Sequence, residues 1–316
     1  ERQDMSSKPK SISLKSDRFG KTVPLLPCIR KQNESTEFNF RERSRLVFKH
    51  PMKYSVNCID MLGDRVVFGD DKGTIYEYMN GEITQVARVC SKLVTSIKFL
   101  SEETLLVSSY DKGFFLFSIP ESKKYRLFKT KYNERKQNNF ALNEAKTHVL
   151  AKVNNSSLIY LKVDDLASIK EGTFFKNKFD LEGERLITSV ISAGGDYFVV
   201  GTMFKILLFK GDKFIKTLCQ STRLIQSFDI AYHNGFGYLA AVYRDKKESE
   251  IVVVKQFREI EGTYKKLYQL NTGSEGWIHN LKFFIRKNQI FILGSETVDP
   301  NSFVILELKN KKLCIK

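Results

Sequence analysis

The chain has 316 residues, is 42% hydrophobic and 12% aromatic, and carries a formal charge of +16 from 52 basic and 36 acidic residues. That apolar and aromatic content excludes a disordered chain, and the length suits either two ordinary domains or one large all-β domain. No uncharged apolar stretch reaches the roughly 18 residues that span a bilayer as a helix, and the cysteines (Cys28, Cys58, Cys90, Cys219, Cys314) are odd in number and widely spaced, which reads as free thiols of a soluble intracellular protein.

Residues 1–37 are polar and weakly patterned and read as a basic tail or docking segment; residues 38–316 read as one domain. Within RERSR, Arg41, Arg43 and Arg45 fall on one side of an extended chain and form a basic ridge. SRLVFKH, 44–50, has the look of an outer strand.

From residue 56 the chain repeats itself. Val56-Asn57-Cys58-Ile59 is followed by VVFGDDKGTIYEY (66–78), and Val94-Thr95-Ser96-Ile97 by LLVSSYDKGFFLFS (105–118). Each unit reads as a strand, a turn, a second strand ending in a small residue, an Asp-Lys-Gly turn and a third strand. Gly73 and Gly113 supply the positive φ of such a tight connection, and the Asp of each turn is placed to accept backbone amides.

Residues 121–136, ESKKYRLFKTKYNERK, follow the second unit. Lys123, Lys124, Arg126, Lys129 and Lys131 alternate there with Tyr125, Phe128 and Tyr132. Two readings are open: a surface that holds phosphates while stacking bases, and an outer strand whose aromatics pack inward at alternate positions. The alternation needs no ligand, which favours the second. Asn138 to Lys146 is the one short helix candidate.

Weaker copies continue through THVLAKVNNSSLIYLKV (147–163), Ile187-Thr188-Ser189-Val190 with YFVVGTMFKILLF, Ile225-Gln226-Ser227-Phe228 with GYLAAVYR, and Ile278-His279-Asn280-Leu281 with QIFILGS and FVILELK. Gly194-Gly195 reads as a turn between first and second strands. The small second-strand residues Gly69, Ser108, Ala151, Gly201, Ala241 and Gly294 recur at roughly forty to fifty residues, the period of propeller blades of three or four strands. A lone blade cannot bury both faces, so such units stack in a ring. Runs such as VVFG, LLVSS, KILLF and FILG suit inner strands covered on both sides, and YEYMNGE an outer, half-wet one.

On these residues the units resemble the WD-repeat propeller family, GDDKGTIYEY most closely, with Tyr78 where that family usually has Trp. The chain has no Trp-Asp dipeptide, and its single Trp277 lies before a first strand. The resemblance covers 54–316 and implies an all-β, WD-repeat-like β-propeller. Six units are countable, and the preceding fifty residues are close to one further period, so the expectation is seven blades with an N-terminal contribution.

Catalytic motifs are missing: no nucleophile elbow, phosphate loop, dinucleotide fingerprint or zinc spacing occurs, and His50, His148, His233 and His279 stand apart. The reading is therefore non-catalytic, with no cofactor and no metal: a protein-interaction scaffold or adaptor subunit of a larger intracellular assembly, nuclear by preference. The positive charge suits acidic protein segments or nucleic acid as neighbours. The alternative is a propeller that binds nucleic acid directly. The candidate binding residues under either reading are Arg41, Arg43, Arg45, Lys123, Lys124, Arg126, Lys129 and Lys131.

Overall fold

The computed structural model describes residues 55–128, 139–168, 178–181, 183–184, 186–244, 250–271, 278–286, 289–296, 303–309 and 312–315. Among them, six four-stranded antiparallel sheets follow one another along the chain, each with its strands in sequence order. The first holds β1 (Val56–Leu62), β2 (Arg65–Asp70), β3 (Thr74–Met79) and β4 (Glu82–Arg88); the second β5 (Val94–Phe99), β6 (Thr104–Ser109), β7 (Gly113–Ser118) and β8 (Lys123–Phe128). The third holds β9 (Phe140–Leu142), β10 (His148–Lys152), β11 (Ser157–Lys162) and β12 (Lys178–Asp180), and the fourth β13 (Ile187–Ser192), β14 (Tyr197–Thr202), β15 (Lys205–Lys210) and β16 (Lys213–Gln220). The fifth is β17 (Leu224–His233), β18 (Phe236–Arg244), β19 (Glu250–Phe257) and β20 (Lys265–Asn271); the sixth is β21 (Ile278–Arg286), β22 (Gln289–Glu296), β23 (Phe303–Lys309) and β24 (Lys312–Ile315).

Side chains alternate across a strand, so a strand covered on both faces needs an unbroken apolar run. Strand β6 shows this directly. Leu105 and Val107 pack with Val67, Ile75 and Phe99 against the first sheet, while Leu106 packs with Phe140, Leu142 and Val149 against the third. The same division recurs in β14, where Phe198 and Val200 join the third sheet's Leu150 and Leu158, and Val199 joins the fifth sheet's Phe228 and Leu239. In β18, Leu239 and Ala241 face the fourth sheet, and Ala240 and Val242 meet Ile278 and Ile292 of the sixth. Each of these side chains is buried, and burying a Val, Leu, Ile or Phe contributes about 1.5–3 kcal/mol relative to exposure. The arrangement is propeller-like: consecutive sheets stacked face to face.

The repeated turn forms as expected at its glycines, with Gly73 at φ 85° and Gly113 at φ 84°. A Cβ on Gly73 would lie 2.3 Å from the Cys90 carbonyl oxygen, so close backbone approach also demands glycine here. The capping oxygen is not on the Asp of Asp-Lys-Gly. Asp70, one residue earlier, is fully buried; its Oδ1 accepts the amides of Lys72 at 2.9 Å and Thr74 at 2.7 Å, and Tyr76 donates its hydroxyl to Oδ2 at 3.3 Å. In the second copy Ser109 Oγ accepts the Lys112 amide at 3.0 Å. Asp111 instead accepts from Ser91 and so ties the turn to the loop entering β5. YEYMNGE forms the hairpin from β3 to β4, turned by Asn80 (φ 53°) and Gly81 (φ 90°), a two-residue pattern that matches strand twist.

Residues 139–146, the described part of the helix expected over 138–146, contradict that expectation. Phe140, Ala141 and Leu142 form β9, and all three are buried, Phe140 and Leu142 on the second-sheet side and Ala141 on the fourth-sheet side. A helix would bury only one stripe of such a segment. The tail at 1–37 and the expected N-terminal unit lie outside the described residues.

Candidate functional site

Five of the six first strands share a feature that the repeat only hinted at. In β1, β5, β13, β17 and β21 the pairing register shifts near the start, between Val56 and Cys58, Val94 and Ser96, Ile187 and Ser189, Ile225 and Ser227, and His279 and Lys282. Such bulges bend a strand and re-aim the side chains after it. Residues of β1, β5, β9, β13, β17 and β21 together line one cavity of about 560 Å³.

One position recurs beyond the bulge. Asp60, Lys98, Leu142, Ile191, Asp229 and Lys282 pair with Val67, Leu106, Val149, Val199, Ala240 and Leu293 in the adjacent second strands. Where this position is charged, it joins neighbouring sheets. Asp60 Oδ1 accepts from Lys98 Nζ at 2.5 Å and Oδ2 accepts the Phe99 amide at 2.9 Å. Asp229 repeats the geometry four sheets on, accepting from Lys282 Nζ and from the Phe283 amide, each at 2.9 Å. The carboxylates are turned into the wall, 16% and 10% exposed, while their lysines are 41% and 54% exposed. Glu144 Oε2 accepts the Gly195 amide at 2.7 Å, and Lys146, at φ 55°, lines the same cavity. Gly194 and Gly195, at φ 87° and 53°, form the turn between β13 and β14 that the sequence indicated.

The titratable groups that line this cavity are Cys58, Asp60, Lys98, Glu144, Lys146, Asp229 and Lys282. Of the thiols, Cys58 lines it, but burial pushes that group up to about 12, so it carries almost no thiolate at neutral pH. Among the described residues, no histidine side chain lines it. His148 stacks on Tyr160 with ring centroids 4.9 Å apart and meets Thr147 Oγ1 at 3.0 Å, and among the described residues no group of three His, Cys, Asp or Glu side chains is placed to hold a metal ion. No helix among the described residues is long and apolar enough to cross a membrane. Ile59 and Met61 on β1 form an apolar patch of the wall, 58% and 64% exposed.

Of the residues proposed from sequence, Lys123 and Lys124 lie away from the cavity. Lys123 and Lys124 lie on β8, the outer strand of the second sheet; Lys123 is 3.8 Å from Glu121, and Lys124 Nζ donates to the Val89 carbonyl at 2.9 Å. Arg126 is on the same strand. Tyr125 does not pack inward as expected: it is 52% exposed and donates its hydroxyl to Glu121 at 3.0 Å. Arg41, Arg43, Arg45, Lys129 and Lys131 lie outside the described residues. Sequence reasoning missed Asp60, Lys98, Asp229 and Lys282, although a signal was there: each stands two places after Cys58, Ser96, Ser227 and Asn280 of the repeated first-strand motif.

No protein-family model matches the chain, and no curated protein matches it. Among solved structures, a chain of the COPII outer coat vertex on membranes aligns at a TM-score of 0.59 and 13% identity, over 82% of this chain and 71% of that one. A chain of the COPII coat assembled on membranes gives the same TM-score and identity over 82% of this chain and 39% of its own length. A computationally designed protein, Ika8, aligns at a TM-score of 0.53 and 12% identity, over 83% and 74%. At such identities the likeness is one of fold, and it supports the propeller-like arrangement.

Proposed function

We propose that this chain is a non-catalytic interaction scaffold, an adaptor subunit whose stacked sheets present loops and outer strands to other proteins of a larger assembly. The observation that carries this reading is the alignment of 82% of the chain with chains solved inside an assembled coat. A rigid stack suits the role because loops vary while the buried core holds them in register. The same proposal takes the fold to be a divergent WD-repeat propeller of seven blades, residues 38–54 contributing to the seventh sheet, and places the protein inside the cell, in the nucleus by preference.

The test is affinity purification of the full chain from native extract at moderate salt, with and without nuclease, followed by reconstitution with each recovered protein. The expected result is a defined set of stoichiometric protein partners that survives nuclease. Loss of every partner on nuclease treatment makes nucleic acid the main ligand and overturns the scaffold reading. Turnover of a substrate by the purified chain overturns its non-catalytic part.

A further inference from the structure

The cavity between the innermost strands holds three ammonium groups on elements far apart in sequence: Lys98 on β5, Lys146 after β9 and Lys282 on β21. Three carboxylates share the wall, but each is committed to a backbone amide: Asp60 to Phe99, Asp229 to Phe283, and Glu144 to Gly195. An ammonium has three donors, and among the described residues Lys98 bonds to Asp60 and Lys282 to Asp229, each through one of them. Lys98 and Lys282 are the more exposed members of their pairs and present positive charge to the lumen, whereas at the third place Glu144 is exposed and Lys146 half-buried. The chain's net charge of +16 adds to the local attraction for anions.

We propose that this cavity is a binding site for a small anion bearing two or more phosphate groups. Donors from three different sheets require a ligand with acceptor oxygens in several directions, which a single carboxylate does not offer and a compact polyphosphate does. Lysine binds phosphate as a point charge without demanding the planar match that arginine needs. A volume of about 560 Å³ fits a small molecule and is too small for a folded domain or a duplex. The site is independent of the scaffold reading, since a propeller can hold a small ligand at its centre with or without protein partners on its rim.

The test is titration calorimetry of the full chain with three probes: inorganic triphosphate, inositol hexakisphosphate and inorganic phosphate. The expected result is one site per chain for either or both polyphosphates, at least about tenfold tighter than for phosphate and weakening as salt is raised. Preference between the two polyphosphates separates a linear phosphate chain from a ring-borne set. Lys146→Gly, which removes the charge from a left-handed turn that glycine adopts freely, weakens binding about tenfold; Lys98→Met with Lys282→Met weakens it further. Lys213→Ala on the outer strand β16 leaves it unchanged. Thermal unfolding of each variant confirms a folded chain, and Lys146→Gly keeps the test decisive if the double variant unfolds. Absence of polyphosphate binding at millimolar concentration overturns the proposal. So does binding that Lys146→Gly leaves intact, or that Lys213→Ala reduces equally.

Discussion

Asp60 of the first sheet holds Lys98 of the second at 2.5 Å and, with its other oxygen, the amide of the next residue, Phe99. One carboxylate thus fixes both the side chain and the backbone of the neighbouring innermost strand. Asp60→Ala leaves a backbone amide and an ammonium without their acceptor, at a cost of about 1–3 kcal/mol. Urea denaturation checks this, and Asp229→Ala, its equivalent at the junction of fifth and sixth sheets, falls in the same range.

The two β2-to-β3 and β6-to-β7 turns differ in their capping residue, and their sensitivity differs accordingly. Asp70→Ala removes an acceptor used by two amides and a tyrosine hydroxyl in a fully buried place, and costs about 2–3 kcal/mol. Ser109→Ala removes an acceptor used by the Lys112 amide and costs about 1 kcal/mol. Thermal melts of the two variants side by side should show the larger drop for Asp70.

Gly73 and Gly81 both have φ near 90°, yet they should not tolerate alanine equally. Gly81 has open space around it, so Gly81→Ala meets only the backbone penalty of about 1–2 kcal/mol. At Gly73 the added methyl would collide with the Cys90 carbonyl oxygen, and the cost rises above that range, to about 3 kcal/mol or more. Equal melting temperatures for the two variants would contradict the close approach of turn and loop.

Burial pushes Cys58 from the ordinary 9.0 to about 12 and Cys90 to about 11. Both are neutral in the folded chain at neutral pH, so native protein at pH 8 should react slowly with a thiol reagent and quickly once unfolded in urea. The unfolded chain deprotonates first, near pH 9, so their contribution to stability is fully present below that pH and is lost as pH rises toward 11 and 12. Denaturation midpoints measured between pH 8 and 11 should fall; a flat profile would show both thiols to be solvated.

Ile59 and Met61 lie on the face of β1 opposite the second sheet, where a preceding unit would pack. If residues 38–54 contribute to that unit, deletion of 1–37 leaves the melting temperature unchanged, whereas deletion of 1–54 lowers it and increases aggregation. Equal melting temperatures for the full chain and the 55–316 fragment would remove the seventh blade from the proposed fold.

Much of the architecture was legible because it rests on local chemistry. Gly73 and Gly113 announce turns by conformational need, and unbroken runs such as Leu105-Leu106-Val107 announce strands covered on both sides. What was not legible depends on register. Asp70 rather than Asp71 caps its turn because of which side chain points inward, and an adjacent pair of identical residues does not show that. Phe140 to Leu142 looked helical because three residues are too few to display a period. The ion pairs of the cavity join residues 38 and 53 positions apart, and only aligned sheets bring them together. The basic run at 121–136 drew attention by composition, which records charge and not direction.

Among the described residues, the sheets that touch at each of five junctions are neighbours in sequence, from the first with the second to the fifth with the sixth. A chain built this way can assemble while it is still being synthesised. Each hairpin pair leaving the ribosome finds its docking surface already in place behind it, so little apolar surface waits long for a distant partner. A stalled or truncated product should therefore keep a folded leading part and expose one raw face at its trailing edge, the surface on which quality-control factors would act.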